Sequence, residues 1–260
     1  MKYDLYQVDA FTSEVFGGNP AAVVPLERWL PDETLLNIAI ENNLSETAFF
    51  VSEGDSYHLR WFTPGGEVDL CGHATLATAY TLFEQLGYEG EKITFTGQSG
   101  ELYVTKTSNG FTLDFPTWER TKIDTPEIVI KALGKAPLEF FDGYDAMAIF
   151  ETPEDIRNMK PDFSALKEFK TRGVIATAPG DQDYDFISRA FFPLLNIDED
   201  PVTGSAHCIL TPYWADRLGK TTFKAHQASA RGGDLLCELE NDRIKITGNA
   251  VLYMKGEIYV

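Results

Sequence analysis

Cysteine is scarce in this chain. Cys71, Cys208 and Cys237 make an odd set of three, which reads as free thiols and excludes a disulfide framework. Positive charge is short as well: 22 Lys and Arg stand against 40 Asp and Glu, for a net charge of −18. Phosphate recognition needs clustered basic side chains, so nucleic acid is not an expected partner, nor is an anionic membrane surface. No apolar run approaches the ~20 residues of a membrane span. The opening MKYDLYQVDAF has no apolar signal core, so the expected location is the cytoplasm. The NLS triplet at Asn43 is then a chance glycosylation match. Also missing are GxGxxG after a strand, GxxxxGK[ST] and GxSxG, so chemistry without a cofactor is expected.

What is present is a soluble globular composition, 43% hydrophobic and 24% charged over 260 residues, enough for one large domain or two ordinary ones. Within it, one phrase occurs twice. CGHATLATAYTLFEQLG starts at Cys71, and TGSAHCILTPYWADRLG starts at Thr203, 132 positions later (203 − 71). Each is a small-residue turn followed by an apolar helix closing on Leu-Gly. Other echoes keep the order: PDFSALKEFK follows PDETLL by 130 positions (161 − 31), GVIATAP answers SETAFFV, and YDFISRAFFP answers YHLRWFTP. Capping rules make any one of these ordinary. Together they indicate a duplication giving two similar α+β halves.

Strands are expected at YDLYQVDAF, AAVVPL, TAFFV, YHLRWFT, ITFTG, ELYVTK, FTLDF, LLCELE and RIKIT, with GGNP at Gly17 as a turn. PDETLLNIAIENN reads as a helix burying Leu35, Leu36, Ile38 and Ile40. Pro116 to Glu127, polar with two prolines, reads as the linker, dividing the chain at 1–116 and 117–260, with the terminal strand free to pack across the halves. The two Leu-Gly helices are apolar nearly all round and should be buried by their own sheets; Pro212 should kink the second or remove a hydrogen bond.

The starts of those helices matter most. First-turn amides lack intrahelical partners and carry partial positive charge, and two such starts related by a pseudo-twofold would hold a small carboxylate in a cleft. Gly72 and Gly204 would let it approach the backbone. Around the two turns gather Glu46, Asp69, Cys71, His73, Asp200, Thr203, Ser205, His207 and Cys208. Glu46 opens an apolar strand, where partial desolvation suits a general acid or base; its plainer reading is a solvated carboxylate or a local cap. His73 and Asp200 could pair as imidazole and carboxylate, or serve merely as helix-start and turn residues. Cys71 faces Thr203 in the repeat rather than a second thiol, so it is an activated thiol or a small buried hydrophobe. For a metal, Cys71, His73, His207 and Cys208 have the atoms, but C-x-H and H-C spacings fit no zinc pattern, and no metal is expected. His58 reads as a strand residue and His226 as a loop residue, neither with a role.

FGGNPAAVV, NLSETAFF, FTPGGEVDLCGHATLA, DPVTGSAHC and QASARGG, in this order from Phe16 to Gly233, resemble the PhzF-like family of phenazine-biosynthesis isomerase relatives. The resemblance implies a diaminopimelate epimerase-like fold: two similar domains related by a pseudo-twofold, each a curved mixed sheet or barrel around a central helix. It implies a homodimer without a cofactor, acting on a small carboxylated substrate by moving a proton. Carried over by motif, Glu46 is the proton shuttle, His73 and Asp200 the other catalytic groups. Gly72, Gly204 and Ser205 hold the substrate carboxylate, and Asn19 lines the site. Two departures stand out: Ala228 follows Gln227 where the family often has Gly, and the Cys71/Thr203 pairing is similar to dehydratase relatives of proline racemase. The alternatives are therefore an epimerase, racemase or dehydratase relying on Cys71, and a binding protein without turnover.

Overall fold

The computed structural model describes residues 1–181 and 183–260. The chain divides into two compact units, Met1–Asp114 with Thr247–Val260, and Phe115–Ile246. The last residues of the chain thus count with the first unit, and the second ends short of the expected limit at 260.

In the first unit the order is β1 (Lys2–Ala10), β2 (Asn19–Leu26), α1 (Asp32–Asn42), β3 (Glu46–Glu53), β4 (Ser56–Thr63), β5 (Gly66–Val68), α2 (Gly72–Tyr80), β6 (Lys92–Gly97), β7 (Gly100–Thr107) and β8 (Gly110–Pro116). β1 and β2 are antiparallel, β2 and β3 parallel, and β3 and β4 antiparallel. β4 then pairs antiparallel with β5 and parallel with β6, which turns back into β7. α1 lies between two parallel strands because such a pair needs a crossover. It buries Leu35, Ile38 and Ala39 against Val24, Phe49 and Phe62. Ile40, expected inside, is 46% exposed; Ala39 takes the inward place, since the helix period cannot turn Ile38 and Ile40 to one side.

The second unit follows with β9 (Arg120–Ile123), α3 (Glu127–Leu133), β10 (Glu139–Gly143), β11 (Ala146–Ile149), α4 (Pro153–Arg157), α5 (Phe163–Glu168), β12 (Val174–Pro179), β13 (Phe186–Phe192), β14 (Ile197–Asp200), α6 (Gly204–Leu218), β15 (Thr222–Gln227), β16 (Gly233–Glu240) and β17 (Arg243–Gly248). The pairings repeat those of the first unit. β10 and β11 are antiparallel, β11 and β12 parallel, β12 and β13 antiparallel. β13 pairs antiparallel with β14 and parallel with β15, which turns into β16. One set of mixed pairings, present in each unit, is the structural counterpart of the repeated phrase. The expected linker is less loose than its composition suggests, because β9 lies inside it and pairs with β10. β18 (Ala250–Tyr259) closes the chain as an antiparallel neighbour of β1.

Each unit encloses one helix. α2 is buried from His73 through Ala79 and packs on β1, β2, β3 and β18, continuing as a single π-turn over Thr81–Gln85. α6 is buried from Ala206 through Thr211 and again at Tyr213 and Trp214, with the Trp214 ring stacked on Phe186 at 5.7 Å. Pro212 frees the carbonyl of Cys208, one turn back. The Trp118 amide donates to that oxygen at 3.0 Å, so the lost helix bond is replaced from outside the helix.

Candidate active site

The first unit brings Asn19, Glu46, Cys71 and His73 together, from three separate elements. FGGNP makes the turn into β2. Gly18 sits at φ +59°, and a Cβ there would fall 2.1 Å from the Ala10 carbonyl oxygen, so only glycine lets the chain reverse this tightly. The reversal sets Asn19 opposite Ala10 and leaves its side chain fully buried. Parallel pairing of β2 with β3 then places Glu46 opposite Ala21. Cys71 is the residue before α2, in extended conformation (φ −142°, ψ 114°). Its carbonyl accepts the Thr75 amide at 3.1 Å and the Thr75 hydroxyl at 2.6 Å. That start puts His73 on the first turn, 4% exposed.

His73 is the centre of the group. Its Nε2 lies 3.1 Å from Glu46 Oε2, while its Nδ1 has the Asn19 amide nitrogen at 3.2 Å and Cys71 Sγ at 3.5 Å. Burial opposes charge on this imidazole, but the Cys71 and Glu46 groups beside it outweigh burial and carry its pKa well above the ordinary value. Burial holds the Cys71 thiol up, with Glu46 adding to the effect. The resulting His73–Glu46 ion pair is close enough by distance, yet lacks the alignment of a hydrogen bond. Both facing atoms keep capacity for a further partner.

The second unit gathers Asp200, Thr203, Gly204 and Ser205 at the start of α6. Asp200 ends β14, opposite Ala190. The Thr203 hydroxyl donates to Asp200 Oδ2 at 2.5 Å, which explains a threonine at the place matching Cys71: it orients a carboxylate rather than supplying a base. Gly204 is buried, and Ser205 is half-buried. Gln227, fully buried at the end of β15, joins the turn together. Its Oε1 accepts the Thr203 amide at 2.8 Å, and its Nε2 donates to the Asp200 carbonyl at 2.8 Å and to Thr203 Oγ1 at 3.1 Å. The residues alone gave Gln227 no such role; its one signal was its place at the head of QASARGG.

His207 and Cys208 stay out of the first-unit group. His207 Nδ1–H donates to the Thr203 carbonyl at 2.9 Å, and burial pushes its pKa down to about 4, so this histidine is neutral. Cys208 is buried, its thiol raised by burial. His226 belongs to β15 rather than a loop, paired with Asp234 at 2.7 Å. The four residues weighed for a metal are therefore not the set the fold assembles. Among the described residues the one group of three or more with suitable donors is Glu46, Cys71 and His73, one donor atom from each, all within 4.8 Å of one another.

The profile of the phenazine biosynthesis-like family, PhzC-PhzF, matches residues 8–256. An uncharacterized isomerase of Pseudomonas aeruginosa is 49% identical over 259 residues, covering 99% of both chains. The crystal structure of a PhzF-family phenazine biosynthesis protein from Enterococcus faecalis superposes with a TM-score of 0.97 at 53% identity, covering 100% of both chains. A hydroxyproline epimerase from Agrobacterium vitis has a TM-score of 0.66 at 12% identity, over 99% of this chain and 92% of its own. That last likeness is one of fold alone, an epimerase fold of the kind expected from the sequence.

Proposed function

Because the chain belongs to the PhzC-PhzF family of phenazine biosynthesis-like proteins, we propose that it is an isomerase that moves a proton between two carbons of a small carboxylated metabolite. The observation that carries this is Glu46, 9% exposed on the first residue of β3, with His73 at 3.1 Å. Glu46 takes a proton from one carbon as its C–H bond breaks, then returns it to another carbon as a new C–H bond forms. No atom is gained or lost, and the shuttle ends ionised as it began. His73 stabilises the Glu46 carboxylate before the proton is taken and after it is returned, and the Asn19 side chain lies against the other ring nitrogen.

In the second unit the acid–base candidate is Asp200, its carboxylate oriented by Thr203. Backbone amides at helix first turns, Gly72 in the first unit and Gly204 and Ser205 in the second, are suited to hold a carboxylate. The epimerase or dehydratase alternative asks Cys71 to act as a base, and a buried thiol held protonated is poorly suited to it.

The test is deuterium uptake followed by NMR in D₂O, with a panel of cyclic and amino-acid carboxylates. Wild type should label one carbon position of the true substrate, and Glu46→Gln should slow labelling by about 10²–10⁴. Undiminished labelling in Glu46→Gln overturns the assignment. Labelling lost in Cys71→Ala alone moves the chain to the Cys71-dependent chemistry.

A further inference from the structure

We propose that Glu46, Cys71 and His73 form a binding site for a zinc-class divalent cation. Neither the spacing of these residues nor the family relationship points to it; the juxtaposition does. A carboxylate oxygen, a thiol sulfur and an imidazole nitrogen lie within 4.8 Å of one another. For any three atoms that close, some point lies within about 2.8 Å of all of them, against zinc bonds of roughly 2.0–2.3 Å. Small rotations about the χ angles close the difference. Three side chains of this kind, with a fourth position left for water or a ligand, are the set that open zinc sites use.

Three further features favour the site. Glu46 Oε2 and His73 Nε2 are buried, and neither is spent in an aligned hydrogen bond, so a cation finds bonding capacity already desolvated. The Asn19 amide lies 3.2 Å from His73 Nδ1; turned so that its oxygen faces the ring, it would accept the Nδ1–H, the orienting contact that metal-binding histidines have. The sulfur and nitrogen donors select against magnesium and calcium, which prefer oxygen alone. This selectivity matters in a chain of net charge −18, whose surface carboxylates collect hard cations unspecifically. An ion at this place engages the Glu46 carboxylate, so if the proton-transfer reading holds, the cation acts as an inhibitor. The binding itself does not depend on that reading.

Cobalt(II) is the probe, added to the metal-free full chain in excess magnesium, with absorption and thermal melting as readouts. One equivalent should bind, raise the melting temperature and produce thiolate-to-cobalt charge-transfer absorption in the near ultraviolet. Cys71→Ala should abolish the absorption, although Cys208 and Cys237 remain. Glu46→Gln, which keeps the thiol and the volume, should weaken binding at least tenfold. Absence of the band in folded wild type, its persistence in Cys71→Ala, or full competition by magnesium would each overturn the site. Should Cys71→Ala fail to fold, Glu46→Gln decides: unchanged affinity there also overturns it. Deuterium uptake by wild type that is lost in Glu46→Gln, with no cobalt binding, would leave the isomerase reading standing and remove only this one.

Discussion

Replacing Glu46 by Gln tests the His73–Glu46 pair without needing the substrate. The change keeps shape and removes charge beside an imidazole that is 4% exposed. Stranding a buried charge costs about 3–5 kcal/mol. The imidazole can escape part of that cost by releasing its proton, at about 1.4 kcal/mol for each pH unit its pKa falls. The cheaper route sets the loss, so it should not exceed about 3–5 kcal/mol at neutral pH. Because the folded pKa of His73 is raised, the stability it lends is fully present below its unfolded value of 6.5. That stability disappears as the pH rises through the folded pKa. Urea denaturation across a pH series should therefore show wild type and variant converging on the alkaline side. In parallel, the His73 ring protons should titrate at lower pH in the variant. A stability gap that stays constant into alkali, or an unshifted His73 titration, would refute the pairing.

His207 should behave in the opposite sense. Its folded pKa, about 4, lies below the ordinary 6.5, so protonation favours unfolding and stability is lost as the pH falls through this window. The loss attributable to His207 should reach about 2 kcal/mol by pH 5 and about 3 kcal/mol by pH 4. It would be measured as the wild-type minus His207→Gln difference in denaturation free energy, and a difference flat from neutrality to pH 4 would contradict it. Gln227→Leu should cost about 1–3 kcal/mol by leaving the buried Thr203 amide unpaired. It should also speed hydrogen exchange at that amide, and unchanged exchange would show that the turn does not depend on Gln227.

The features legible in the sequence are those that local rules write. The paired phrases mark α2 and α6 because a buried helix must be apolar all round and must stop, and Leu-Gly does both. The duplication is legible because the strands recur in order, and the two units repeat one set of pairings, parallel β2–β3 matched by parallel β11–β12. β9 escaped notice for a physical reason: its residues are mostly exposed, so it carries no alternation, and its pairing with β10 alone makes it a strand. Ile40 misled because an apolar side chain is no proof of burial when a neighbour one position away can fill the face.

The site divides along the same line. Glu46, His73 and Asp200 could be named from motifs, but the 3.1 Å between Glu46 and His73 comes from non-local pairing. Glu46 reaches His73 because β2 runs parallel to β3 over a crossover helix and α2 packs on both strands. Gln227 shows the limit best. It is an ordinary polar residue until β15 pairs with β16, setting it opposite Gly233. There it is buried, with Thr203 and Asp200 as partners for its amide. Cys71 follows the same logic in reverse: its spacing to His73 argued against a metal, and spacing along a chain says nothing of a carboxylate delivered from another strand. In this fold the proposed acid–base groups sit at element ends, where local sequence identifies the residue and the sheet decides its neighbour.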